Sequence, residues 1–88
     1  MKLIIAIIKD EDNDAVSQAL TKEDFRVTLT ASTGGFLRSG RSTLLIGVED
    51  ERVDQALDII RENCKKADQS KEKRATIFVL KVDNFTQL

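Results

Sequence analysis

The pattern of apolar and polar residues along this chain predicts four β-strands. Lys2–Ile8 is an unbroken apolar run rich in isoleucine, which is typical of a strand buried on both faces. Thr43–Val48 and Ala75–Val82 are also apolar on both faces, whereas Phe25–Ser32 alternates and predicts a half-buried strand. The alternation assigns Phe25, Val27, Leu29 and Ala31 to its apolar face, and Arg26, Thr28, Thr30 and Ser32 to its polar face.

Two further segments carry apolar residues at helical spacing. The first follows the acidic run Asp10–Asp14, and its apolar face holds Ala15, Val16, Ala19 and Leu20. We expect Asp10 or Asp12 to be its N-cap, because acidic side chains favour the start of a helix. The second helix is Glu49–Cys64, with Val53, Ala56, Leu57, Ile60 and Cys64 on its apolar face.

The predicted order of elements is β-α-β-β-α-β. This is the ferredoxin-like pattern of the α+β class, with an antiparallel four-stranded sheet. A weak internal repeat supports two βα halves, because Ile8–Glu11 (IKDE) resembles Val48–Glu51 (VEDE). Two helices cover only one face of such a sheet. Since three strands are apolar on both faces, we expect another copy of the chain to cover the second face.

Length and composition narrow the class of protein. The chain has 88 residues, which predicts a single domain over 1–88, and its net charge of -1 does not favour nucleic acid or an anionic membrane as a partner. Histidine is absent and there is one cysteine, which argues against His-based catalysis, most zinc sites and an internal disulfide. Neither a membrane-spanning run nor a signal-peptide pattern is present, so we expect a cytoplasmic protein without membrane insertion.

Three other features have simpler interpretations than a functional site. The aspartates of DEDND have the spacing of a calcium loop, but Ala15 and Thr21 stand where an EF-hand needs glycine and glutamate. Cys64 is interpreted as a core residue, and the Lys-rich segment 65–74 as a solvated loop. The sequence shows no nucleophile–base pair and no carboxylate pair in a cleft. We therefore expect no catalytic residue, no metal site and no cofactor, and a binding protein rather than an enzyme.

The segment between the second and third strands is the strongest candidate site. Residues 33–43 (TGGFLRSGRST) are too many for a plain hairpin, and they combine glycines, arginines, hydroxyls and a phenylalanine. The glycine pair lets the backbone approach a ligand, Phe36 offers a stacking surface, and Arg38, Arg41 and Arg26 offer positive charge. This mixture suits a flat heteroaromatic ring that bears phosphate. The alternative is a solvated loop with an apolar tip that packs on a neighbour.

Several motifs, spread from one end of the chain to the other, resemble a single family. They are MKLIIAI at the N-terminus, Phe25-Arg26-x-Thr28, TGGFLR-x-G at 33–40 with Thr43, Gly47-Val48, Arg52-Val53-Asp54, ATIFVL at 75–80 and Val82-Asp83-x-Phe85-x-Gln87. Together they are similar to the cyclic-di-AMP receptor branch of the PII-like signalling proteins. The run TGGFLR-x-G is the most specific of these motifs, and the C-terminal motif agrees with it.

The resemblance implies a PII-like homotrimer with the sheets at its centre and the helices outside. It also implies a non-enzymatic signalling role, in which cyclic di-AMP binds in three clefts between protomers. In such a cleft Arg26 and Thr28 would meet phosphate and adenine, and Gly47 would offer backbone to the other base. The remaining residues implied to line it are Gly35, Phe36, Leu37, Phe78 and Gln87.

The sequence departs from that family at three places. Asp24 stands where members commonly have Asn, and its carboxylate would repel a nearby phosphate. Arg41 stands in place of an Asn that reads adenine; it can instead attract phosphate or stack on the base, so it stays a candidate ligand contact. A long loop before the last strand is shortened to about 66–73. These differences favour a second hypothesis, a PII-like trimeric interaction module that has lost cyclic di-AMP binding or binds another adenine nucleotide.

Overall fold

Four strands and two helices make up the part of the chain that the computed structural model describes, residues 1–32, 40–64 and 75–88. Their bounds are β1 Lys2–Lys9, α1 Asn13–Lys22, β2 Arg26–Ser32, β3 Arg41–Val48, α2 Val53–Asn63 and β4 Ala75–Lys81. A single 3₁₀ turn precedes each helix, at Asp10–Asp12 and at Asp50–Arg52. The internal repeat in the sequence therefore marks two equivalent strand-to-helix junctions.

The strands form one antiparallel sheet in the order β2-β3-β1-β4. This confirms the predicted ferredoxin-like α+β fold, with β1 and β3 in the centre and β2 and β4 at the edges. The register places Arg26 opposite Gly47, and Gly47 opposite Leu3. Directly paired residues share a face of the sheet, so these three positions form a row across one face.

The two helices pack on the other face of the sheet. Alternate residues of the central strands are completely buried there together with one side of each helix, namely Ile4, Ala6, Ile8, Leu44, Ile46, Val16, Leu20, Ala56 and Ile60. Burying one large aliphatic side chain stabilises a fold by about 1.5–3 kcal/mol. This layer is therefore the main source of stability in the protomer.

The face of the sheet that the helices leave uncovered, which we call the open face, is also apolar. It carries Leu3, Ile5, Ile7, Leu45, Phe78 and Leu80, which share it through the pairing of β1 with β3 and β4. Phe78 is 52% exposed and Leu80 is 46% exposed. The prediction that three strands are apolar on both faces is confirmed.

One local prediction was wrong, and another was confirmed in position. Leu29 is 50% exposed rather than buried, because β2 is an edge strand and its pairing with β3 shifts register after this residue. The prediction of Asp10 or Asp12 as the N-cap of α1 is confirmed at Asp12, although its side chain makes no capping hydrogen bond. The preceding 3₁₀ turn starts the helix instead, with the N–H of Asn13 donating to the carbonyl of Asp10.

Some sequence-based predictions fall on residues that lie outside the described part of the chain. They include Gly35, Phe36 and Leu37 in the glycine-rich segment, and the shortened loop at 66–73. These predictions stay as predictions.

Candidate functional site

A cavity of about 470 Å³ lies at one end of the sheet, between the open face and the C-terminal tail, which we define as residues 82–88. The N-terminal residue and the strands line it with Met1, Lys2, Leu3, Arg26, Thr28, Leu45 and Gly47, and the tail with Val82, Phe85 and Gln87. Its volume falls within the range of roughly 300–1,000 Å³ that is typical of small-molecule sites. The lining combines an apolar floor with the cationic side chain of Arg26 on the open face.

Strand register brings the first polar residues of the site together. The period of two in β2 places Arg26 and Thr28 on the open face, where both side chains are exposed. Pairing with β3 then sets Arg26 opposite Gly47, and Thr28 opposite Leu45. A guanidinium and a hydroxyl therefore stand beside a strand position that has no side chain.

The tail crosses the sheet to reach this end of β2. It begins at the far edge of the sheet, after β4, where the N–H of Val82 donates to the carbonyl of Met1 at 3.1 Å. At its other end the amide oxygen Oε1 of Gln87 accepts a hydrogen bond of 2.7 Å from Nη1 of Arg26. Crossing from β4 to β2 covers about 14 Å at the usual strand spacing. An extended segment of five residues spans that distance.

A tight turn fixes the direction in which Arg26 leaves the α1–β2 junction. Asp24 in this turn has a φ of 66°, in the left-handed region, and its N–H donates to the carbonyl of Thr21 at 3.0 Å. Arg52 supports the turn from α2, because its Nη2 donates to the carbonyl of Glu23 at 2.9 Å. The guanidinium of Arg52 also lies 4.0 Å from the ring centroid of Phe25, within the range of a cation–π interaction.

A second, smaller cavity of about 160 Å³ adjoins the first, and Asp24 lines this one rather than the larger one. Met1, Arg26 and Gly47 line both cavities. The α-amino group of Met1 lies 3.0 Å from Oδ1 of Asp50. The hydrogen bond that it donates lowers the pKa of Asp50 below its usual value. Met1 is thus held in place between the two cavities.

A side chain at position 47 would not clash with the rest of the protomer. A Cβ atom at this position would lie 3.6 Å from Cε of Met1, an ordinary van der Waals contact. The absence of a side chain therefore keeps the strand backbone accessible from the cavity rather than relieving a clash.

The structure divides the predicted site residues into two groups. Arg26, Thr28, Gly47 and Gln87 surround the larger cavity. Arg41 lies at the opposite end of β3 and pairs with Lys9; it is six residues from Gly47, about 20 Å along a strand. Phe78 lies on the open face of β4, opposite Ile5, and does not line the cavity.

The ends of the glycine-rich segment lie near Arg41 rather than near the larger cavity. Ser32 pairs with Ser42, and Gly40 accepts a hydrogen bond of 3.1 Å from the N–H of Asp10. Both residues therefore lie at the Arg41 end of the β2–β3 hairpin, away from Arg26. Gly35, Phe36 and Leu37 lie between them in the sequence and are not described.

Sequence reasoning missed several residues of the cavity. Leu3 and Leu45 could have been found, because alternation along β1 and β3 assigns them to the face that carries Arg26. Val82 and the contact of Gln87 with Arg26 left no such signal, because the tail has no regular periodicity. The described residues include no group of three or more His, Cys, Asp or Glu side chains able to hold a metal ion.

Within residues 1–32, 40–64 and 75–88, none of the helices has the length and apolar character needed to cross a bilayer.

Comparison with known proteins agrees with this architecture. The family described as cyclic-di-AMP receptor matches residues 1–74, which include β1 to α2. Among solved structures, the crystal structure of a functionally unknown protein from Pediococcus pentosaceus ATCC 25745 is similar over 99% of this chain and 96% of that chain. The two share 35% sequence identity, and their TM-score is 0.78. On the strength of a family match that spans most of its length, the chain belongs to the cyclic-di-AMP receptor family.

Proposed function

We propose that this protein is a non-enzymatic PII-like signalling receptor that binds cyclic di-AMP in the clefts between protomers of a homotrimer. The observation that carries the proposal is the row formed by Arg26, Gly47 and Leu3 across the open face. This row sets a cation, an accessible strand backbone and an apolar floor side by side in one cavity. A ligand with phosphates and flat bases needs all three.

The residues of the row and their neighbours Thr28 and Leu45 have distinct roles toward the ligand. The guanidinium of Arg26 binds a phosphate oxygen, a charge-assisted contact worth about 1.5–3 kcal/mol. The hydroxyl of Thr28 donates to, or accepts from, the edge of a base. One adenine lies flat against the strand at Gly47, where there is no side chain. Leu3 and Leu45 supply apolar contact beneath it.

The separation of the two residue groups supports a site shared between copies. Arg26 and Arg41 lie at opposite ends of the β2–β3 hairpin, about 20 Å apart at the usual rise per residue. One dinucleotide does not reach both within a single protomer. If a neighbouring copy places its Arg41, Phe78 and glycine-rich segment beside the cavity of the first, one ligand meets both groups. The same neighbour covers the apolar open face.

Calorimetry of the purified protein tests the proposal. Titration with cyclic di-AMP should give heat that saturates at one ligand per protomer, and titration with ATP should give none. Ligand recovered after prolonged incubation should be chemically intact by chromatography, because no covalent step is involved.

The presence of Arg41 favours one second candidate, a trimeric interaction module that uses another adenine nucleotide or none. Arginine has only donors, whereas reading adenine by hydrogen bonds needs a donor and an acceptor together. Heat with ATP alone, or silence from both nucleotides, would establish this candidate and reject the receptor proposal.

A further inference from the structure

Arg52 contacts the residues that lead directly into Arg26, although it lines the smaller cavity and not the larger one. Its Nη2 donates to the carbonyl of Glu23 at 2.9 Å, and its guanidinium lies 4.0 Å from the ring centroid of Phe25. We propose that Arg52 is a positioning residue that raises the affinity of the site for its ligand by fixing the backbone from which the Arg26 side chain leaves. The inference rests on the proposed function for the identity of the ligand, and it adds a residue to that site.

The end of α1 forms the turn on which Arg52 acts. The N–H of Phe25 donates to the carbonyl of Leu20 at 3.0 Å. The N–H of Asp24, which has a left-handed backbone, donates to the carbonyl of Thr21 at 3.0 Å. This pair of bonds is a Schellman motif, a common way to end a helix, and the buried Phe25 and Leu20 supply its apolar part. The turn therefore determines where β2 begins and in which direction it runs.

Arg52 supplies a donor to this turn where the helix itself has none. Glu23 is the C-cap residue of α1, and the last carbonyls of a helix lack partners within it. The C-terminal end of a helix also carries partial negative charge, so a cation is favourable there. On its other side, Nε of Arg52 donates to Oε1 of Gln55 at 3.2 Å. The guanidinium thus joins the end of α1 to the start of α2.

Arg26 depends on this turn because it is the first residue of an edge strand. β2 has a neighbour on one side only, and Arg26 pairs there with Gly47. Strand ends with few partners open most readily, so the turn before Arg26 limits how far its backbone departs from the sheet. Gln87 contacts the end of the Arg26 side chain, whereas Arg52 holds the residues before it in the chain.

Calorimetry with cyclic di-AMP tests the positioning role. Arg52→Met keeps an unbranched side chain without the guanidinium, and it should weaken binding about three- to tenfold, because a smaller fraction of the protein then holds Arg26 in place. Arg52→Lys should give a smaller loss, since lysine keeps the charge but not the planar fork of donors. Arg61→Met is the matched control, because Arg61 pairs with Asp58 on the exposed surface of α2. Unchanged affinity in Arg52→Met overturns the inference.

A double-mutant cycle separates positioning from direct contact with the ligand. If Arg52 acts through Arg26, Arg52→Met should weaken binding by less than about twofold once Arg26→Ala is already present. A residue that touches the ligand, or attracts it by charge alone, would give the same loss in both backgrounds. Equal losses would therefore reject the positioning role.

Hydrogen exchange followed by NMR tests the turn without any ligand. Arg52→Met should speed exchange of the Asp24 and Phe25 amides by about fivefold or more, because local opening becomes easier. The amide of Cys64, which donates to the carbonyl of Ile60 at the far end of α2, is the control and should change little. Unchanged rates in the turn, or equal acceleration of all three amides, would show that Arg52 does not fix the turn.

Failure of this inference and failure of the proposed function give different results. If the wild-type protein binds cyclic di-AMP and Arg52→Met binds it equally well, the receptor assignment stands and the positioning role is wrong. If the wild-type protein does not bind cyclic di-AMP, the proposed function fails and the role of Arg52 toward this ligand fails with it. The exchange rates then still decide whether Arg52 holds the turn.

Discussion

Arg26 shows how a single side chain can be predicted in part from sequence. Alternation along β2 assigned it to a polar face together with Thr28, and both side chains are exposed on that face. Its neighbour across the sheet, Gly47, and its partner Gln87 could not be assigned in this way. Gln87 is 61 positions away in the chain, and no local pattern links the two residues.

Arg26→Ala should weaken cyclic di-AMP binding by about 1.5–3 kcal/mol, because a charge-assisted contact to phosphate is lost. Arg26→Lys should give an intermediate loss, since lysine keeps the charge but not the planar fork of donors. Calorimetry measures both. Arg61→Ala is the control, because this arginine pairs with Asp58 on the exposed surface of α2. Unchanged affinity in Arg26→Ala would remove this residue from the site.

The backbone conformation of Asp24, rather than its carboxylate, explains which residue types suit this position. Its φ of 66° lies in the left-handed region, which costs most residues about 1–2 kcal/mol, and which Gly, Asn and Asp tolerate best. The residue type at this position is therefore constrained by the turn, and its carboxylate does not line the larger cavity. The left-handed backbone conformation explains why Asp can stand here in place of the Asn that is common in the family that the sequence resembles.

Asp24→Ala should lower the free energy of unfolding by about 1 kcal/mol, whereas Asp24→Asn and Asp24→Gly should keep it close to that of the wild-type protein. Urea denaturation followed by circular dichroism measures the difference. Glu23→Ala serves as the control, because the φ of Glu23 is -97 and imposes no such constraint. A stability of Asp24→Ala equal to that of Asp24→Gly would show that the turn is not strained.

At the scale of elements, the strands and helices follow the sequence pattern closely, and the deviations occur where elements join. β1 and β3 extend one and two residues beyond their predicted ends at Ile8 and Thr43. The predicted helix Glu49–Cys64 divides into a 3₁₀ turn and α2. At the matching junction after β1, Ser42 is buried, and its Oγ donates a 2.6 Å hydrogen bond to Oδ1 of Asp10. Junctions depend on such contacts between elements, which periodicity does not encode.

Ser42→Ala should destabilise the fold by about 1.5–3 kcal/mol, because it removes a buried donor to a carboxylate. Thermal or chemical denaturation measures the loss. Ser17→Ala is the matched control; it removes a 3.1 Å hydrogen bond between the neutral side chains of Ser17 and Asn13 on α1. We expect that control to lose less than about 1 kcal/mol. Equal losses of stability in the two variants would show that the Ser42–Asp10 hydrogen bond contributes no more than the Ser17–Asn13 bond.

At the scale of the whole molecule, the main feature is the open face of the sheet. Two helices cover one face of the sheet, and the other carries apolar side chains from β1, β3 and β4. A contiguous apolar face of this kind marks an interaction surface. The proposed homotrimer buries this face and, in the same arrangement, brings the two groups of site residues together.

Phe78→Lys should convert the proposed trimer into folded monomers, because it places a charge on the open face at a side chain that is already half exposed in the protomer. Sedimentation velocity should give a mass three times the 9.9 kDa protomer for the wild-type protein and one protomer mass for the variant. Circular dichroism checks that the variant is folded.

Val79→Lys is the matched control for that experiment. It lies next in β4, is 42% exposed, and points to the opposite face of the sheet. The trimer should survive this substitution. If Phe78→Lys remains trimeric, or if the wild-type protein is monomeric, the open face is not the contact between copies. The proposed site then receives no residues from a neighbouring copy.

The sequence by itself determined the type and order of the elements, the excess of apolar surface and, except beyond the register shift in β2, the face of each strand on which a residue lies. These are local properties, because period and spacing follow from the geometry of a single helix or strand. Only the tertiary structure decided which residues share the cavity, because the order β2-β3-β1-β4 sets which strands are neighbours. That order places Gly47 between Arg26 and Leu3, and it brings the tail across the sheet to Arg26. Contacts of this kind join distant parts of the chain, and packing rather than periodicity selects them.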